Sequence, residues 1–222
     1  MNEQVTTISR SQDAALSTNK VIKNTYMLLS MTLLFSAATA GLSMALNPPH
    51  IASLGTFVAA LVLLWFVVPR TANSASGIFV VFAVTGLLGF GLGPTLNHYL
   101  ALPNGSQLVM MAMGSTAAIF LGLSGYVMAT RKDFSFMGGF LAVGLMVAFL
   151  AGIAALLFEL PALSLAVSAV FALLASGVIL YQTSEIIHGG ETNYVLATVT
   201  LYVAIYNLFT SLLHLLGFAS DD

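Results

Sequence analysis

The chain has 222 residues, 59% hydrophobic and 6% charged, with six Lys or Arg against eight Asp or Glu and a formal net charge of −2. A water-soluble domain carries charge at about a quarter of its positions, so a soluble fold is excluded and nearly the whole chain can lie in a bilayer. No Lys/Arg cluster exists that could neutralise phosphates, which excludes nucleic acid as a partner, and the absence of cysteine excludes disulfides, thiolate ligands and a thiol nucleophile.

In chain order, residues 1–23 come first. They are rich in Ser, Thr, Asn and Gln, carry Arg10, Lys20 and Lys23, and have few large apolar groups, a composition that predicts a flexible tail. Pro, Gly, Asn and charged residues then punctuate seven apolar runs, at 24–46, 51–68, 77–98, 108–129, 136–158, 162–187 and 195–216. Each approximates the about 20 residues that cross a hydrocarbon core as a helix. The first is too long for the apolar part of a cleaved signal peptide and reads as an uncleaved signal anchor. The connectors are too short to hold a soluble domain. The expectation is an all-α integral membrane protein, a tail over 1–23 followed by a seven-transmembrane-helix domain over 24–222.

Lys and Arg near span ends are retained on the cytoplasmic side. Arg10, Lys20 and Lys23 precede span one, Arg70 lies between spans two and three, and Arg131 and Lys132 lie between spans four and five. With seven spans and a cytoplasmic N-terminus all of them fall inside, which places Asp221 and Asp222 on the periplasmic face. Small residues recur at helical spacing at Gly89 and Gly93, at Gly144, Ala148 and Gly152, and at Ser164, Ser168, Ala172 and Ser176. Such stripes predict close packing of helices within the bundle.

Ionisable residues at membrane depth mark candidate sites, and they concentrate in the last two spans. Gln182, Glu185 and His188 form a row at intervals of three on span six. On span seven, Thr200, Ala204, Asn207, Ser211 and His214 share one face that is polar or small throughout. Two such helices read either as a hydrated path for a cation or proton, with Gln182, Glu185, His188 and Asn207 as its polar lining, or as helices joined by hydrogen bonds. His188, one turn from Glu185, is the expected partner of that carboxylate. His50, His98 and His214 are scattered and provide no metal-ligand spacing, so neither a metal nor a cofactor is expected. Gly122-Leu123-Ser124-Gly125 matches the short serine motif of rhomboid-type intramembrane proteases, with His188 as the available base. The wider rhomboid pattern is missing, so the expectation is a packing serine and a protein that is not an enzyme.

Two long stretches carry a family resemblance. Gly177-Val-Ile-Leu-Tyr-Gln-Thr-Ser-Glu-Ile-Ile-His-Gly-Gly-Glu-Thr-Asn-Tyr194, followed by Thr200-Leu-Tyr-Val-Ala-Ile-Tyr-Asn-Leu-Phe209, closely resembles the Bax inhibitor-1 (TMBIM, LifeGuard) family of multi-span membrane proteins. The likeness extends to 17–26, 87–97, Thr130-Arg-Lys-Asp-Phe-Ser-Phe-Met-Gly-Gly139 and Leu160-Pro-Ala-Leu163. The resemblance implies a seven-helix bundle in the bacterial inner membrane and, for the bacterial type, modulation of the membrane-anchored AAA protease FtsH as its partner, with residues 1–23 as the handle by which the protease would grip the chain. It also implies a second function, a pH-dependent calcium leak. Family members with that activity carry an aspartate on each of spans six and seven, and the matching positions here are Gln182 and Ala204. Two carboxylates that share a proton can respond to pH near neutrality. Gln and Ala cannot, which leaves Glu185 as the partial substitute.

Overall fold

The computed structural model describes residues 2–220, with side chains at 16–49 and 51–220. The side chains of Arg10 and His50, and Asp221 and Asp222 altogether, lie outside the described residues. Every regular element among the described residues is helical, and seven helical stretches are long and apolar enough to cross a membrane.

Helix α1 (Asn2–Leu46) runs unbroken through the segment expected as a tail, and its membrane-compatible part begins at Leu16. The boundary expected at residue 23 is therefore not a break in the backbone. The physical reason is cooperativity: once the span has formed the costly first turns, each added residue gains a hydrogen bond, and no Gly or Pro interrupts 2–40. Helix α2 (His50–Val62) continues through a π-helical turn at Leu63–Val67 into the short α3 (Val68–Thr71). Pro69 explains the π turn, since its ring cannot donate to the ladder and clashes with the carbonyl one turn back. Helices α4 (Ser76–Leu100), α5 (Gly105–Thr130), α6 (Gly138–Leu157), α7 (Pro161–His188) and α8 (Tyr194–Ala219) complete the bundle.

Helix α8 is the hub. It packs against α1, α4, α5 and α7, and more of it is buried than of any other span, whereas α6 touches only α7 and the turn before it. The main apolar core joins Leu29 of α1, Val81, Val84 and Leu88 of α4, and Val195, Val199 and Leu201 of α8. The α1–α4 crossing uses the small stripe read from the sequence: a Cβ on Gly89 would strike Ser36 and Thr39, and one on Gly93 would strike Ser43. Gly144 meets Leu174 of α7 in the same way. Outward faces carry Trp65, Phe79, Phe140 and Leu173, each largely exposed, as helices solvated by lipid do.

The described cationic residues share one end of the bundle. Residues 17–22 of α1, Arg131 and His188 line a common cavity there, and Asn193 reaches from the α7–α8 connector to the carbonyl of Ala72 at 3.0 Å, beside Arg70.

Candidate functional site

The row read on α7 does not stay together. Gln182 is buried, 5% exposed, and its Nε2 finds no protein partner among the described residues. Its neighbour Thr183 bonds to the Tyr26 hydroxyl of α1 and to Ser124 of α5, both at 3.3 Å. Ser124, at 1% exposed, is thus a link between helices, as a packing serine should be, and its hydroxyl faces a threonine and not a histidine.

Glu185 and His188 lie at the helix end. Gly189, at φ +78°, closes α7 in the left-handed conformation that glycine adopts without strain. Gly190 and Glu191 then donate backbone N–H groups to the Glu185 carbonyl at 2.8 and 3.1 Å. The Glu185 carboxylate folds back over Gly190, which has no side chain to displace it. His188 is not its partner, contrary to expectation. The imidazole instead places Nδ1 2.9 Å from the Ser184 carbonyl and Nε2 3.1 Å from the Arg131 carbonyl. Sequence spacing gives the distance along a helix but not the choice of rotamer, and the α5–α6 connector supplies a better acceptor than the carboxylate. Both carbonyls only accept, so a neutral ring, with one N–H, can serve one of them at a time.

That connector is fastened to α7 at further points. Arg131 adopts φ +52°, and the Phe134 N–H donates to Ser184 Oγ at 2.9 Å. Asp133 accepts from the Ser135 N–H at 2.8 Å, and that bond, with the Ser135 hydroxyl, holds the carboxyl below the usual carboxylate range. A hydrogen bond to Tyr126 holds the Lys132 ammonium above the usual lysine range.

On α8, Ala204 is 3% exposed and packs in an apolar cluster with Ala175 and Ile179 of α7 and Leu208. The two positions that match the family aspartates thus sit in the core, one of them beside apolar side chains. Asn207 turns elsewhere, into a cavity of about 520 Å³ with Tyr206, Ser211 and His214. The residues read as one candidate path therefore divide among a buried core position, a loop junction and a separate cavity. Sequence analysis missed the buried triad of Ser36, Tyr202 and Thr85. The Tyr202 hydroxyl donates to the Thr85 carbonyl at 3.2 Å and accepts from Ser36 at 2.5 Å. A tyrosine on the hub helix was its only signal. His214, read as scattered, bonds Ser168 of α7 at 2.8 Å.

Fold and site together define a multi-pass membrane helix bundle whose polar groups mostly join one helix to another. A family model described as "Inhibitor of apoptosis-promoting Bax1" matches residues 18–221. The chain is 50% identical over 220 residues to "Modulator of FtsH protease YccA" of Escherichia coli strain K12, covering 99% of this chain and all of that protein. Identity is the same to "Inner membrane protein YccA" of E. coli O6:H1. A membrane protein of Vibrio cholerae is 46% identical over the full length of both chains. The chain belongs to the Bax inhibitor-1 family and is a multi-pass protein of the inner membrane. Its relatives are named as modulators or membrane proteins, not as enzymes.

Proposed function

We propose that this protein binds the membrane AAA protease FtsH and slows its degradation of other membrane proteins. The observation that carries this reading is 50% identity, over 99% of the chain, to a protein named as a modulator of that protease. The physical case has two parts. A processive protease must unfold the bundle to digest it, and a hub helix packed against four others resists extraction. Residues 1–23, with Arg10, Lys20 and Lys23, are the handle: Leu16, Lys20 and Lys23 are exposed at the start of the first span. We place this end in the cytoplasm, because the described basic residues gather there. The protein acts by association and is not an enzyme, since Ser124 and His188 are engaged with other groups.

The test is pull-down from native membranes with intact protein and with a variant lacking the first 20 or so residues, a length set by the reach of the tail. Both forms should retain protease subunits, while the truncated one should live longer in cells and inhibit more strongly. Unchanged lifetime with unchanged binding refutes the handle, and loss of capture by the intact protein refutes the partner. A calcium or proton leak has less support: Gln182 and Ala204 stand where carboxylates are required, and Ala204 lies among apolar side chains.

A further inference from the structure

The cavity that holds Asn207 is a cleft in the side of the bundle. Its walls are Phe57 and Leu61 of α2 and Phe149 and Leu156 of α6, helices that do not pack on each other, and α8 is its floor. It therefore opens sideways, toward lipid. A second lobe of about 240 Å³ shares Phe57, Leu88 and Tyr206 with it and reaches Ser53, whose buried hydroxyl has no protein partner. No Lys, Arg, Asp or Glu lines either lobe.

The floor is polar. The Asn207 carboxamide and the Tyr206 hydroxyl lie in the walls of the cleft, and no described protein group hydrogen-bonds to them. Asn207 is near the middle of α8, and His214 lies about 10 Å further along the axis at 1.5 Å per residue. The proton on His214 follows from its neighbour. Ser168 donates to the Ser164 carbonyl at 3.0 Å, which uses its only proton. His214 Nδ1 must therefore be the donor in the 2.8 Å bond to Ser168. In the neutral ring Nε2 is then a free lone pair, an acceptor in need of a donor.

We infer that this cleft binds a neutral hydroxylated lipid, an amphiphile with a hydrocarbon chain and an uncharged head that bears an O–H group. The apolar and aromatic walls take the chain, His214 Nε2 accepts from the head hydroxyl, and Asn207 donates to its oxygen. A charged head does not fit, because a site at this depth without a countercharge penalises it. A partner's transmembrane helix does not fit either. Such a helix, about 10–12 Å wide and about 30 Å long, needs several times the about 520 Å³ present, a volume within the about 300–1,000 Å³ of small-molecule sites.

The experiment uses the full chain in phosphatidylcholine nanodiscs, with a long-chain primary alcohol carrying a photoactivatable diazirine and the methyl ether of the same chain. The alcohol should label peptides of α6 and α8 that face the cleft, about three- to tenfold more than the ether, the range of one hydrogen bond. His214→Phe should reduce labelling by the alcohol to the ether's level, and Asn207→Leu should act in the same direction. Gly152→Trp, which narrows the cleft from the α6 side, should reduce labelling by both probes. Each variant is read only where it elutes as a monodisperse folded species, and the comparison of alcohol with ether on the unmodified protein needs no variant. Equal labelling by alcohol and ether overturns the inference, as does labelling outside the cleft or labelling that Gly152→Trp leaves unchanged. Crosslinks from the cleft to a partner's helix in native membranes, in place of lipid, overturn it as well.

Discussion

The two halves of α8 carry similar polar residues and use them in opposite ways. In the first half every polar group with a structural role is closed by protein. Asn193 caps the helix by accepting from the N–H groups of Val195 and Leu196 at 2.9 and 3.2 Å. Thr198 bonds the Thr25 carbonyl of α1 at 3.2 Å, and Tyr202 bonds Ser36 and Thr85. In the second half, Tyr206, Asn207 and His214 line a cleft, and of these only His214 makes a side-chain bond to another helix. The difference lies in what surrounds each half. α1 and α4 close over the first, whereas α2 and α6 leave a gap beside the second. Hydrogen-bonding side chains in a membrane helix are thus glue or site according to their neighbours.

The comparison can be broken most strongly at the closed half. Gly89→Val should cost about 3 kcal/mol or more, because its side chain would enter the space of Ser36 and Thr39 and push Ser36 off Tyr202. Thermal unfolding in detergent should show a large fall in Tm, with loss of the folded species as the extreme result. Next, Asn193→Ala should cost about 1–2 kcal/mol, since it removes the cap and two bonds to Ala72 and Asn73 at 3.0 and 2.8 Å. Tyr202→Phe should cost about 1–2 kcal/mol, the range for a buried bond broken on one side. If it is neutral, the triad is not glue.

The open half should behave otherwise. Asn207→Leu should change stability by less than about 0.5 kcal/mol or raise it, because the carboxamide has no protein partner to lose. A loss as large as that of Tyr202→Phe would erase the distinction between the halves. The smallest effect concerns the connector bonded to α7 below the closed half. Asp133 is held below its usual range by Ser135, so its contribution is full above the ordinary carboxylate value of about 3.9 and is lost as pH falls through the lowered folded value. The Ser135 amide shift followed by NMR should move with a midpoint below that value, and Asp133→Asn should abolish the transition.

What the sequence determined by itself was the class, the number of spans and the stripes that pack. Seven apolar runs follow from hydropathy alone, because a bilayer forces each run of that length into a helix. Glycines at 89 and 93 were legible as a packing stripe because spacing on one helix is a local property. The family was legible because its motifs are long and contiguous. Partner choice was not. Spacing put Glu185 and His188 one turn apart, yet only the folded connector offers the Arg131 carbonyl that takes the imidazole. One face of α8 joined Ala204 to Asn207 and His214 in the sequence. The tertiary structure put the first against α7 and opened the others to a cleft, because α2 and α6 lie on different sides of a gap that no local pattern encodes. Local periodicity fixes which side chains share a face, and only the packing of distant helices decides what that face meets.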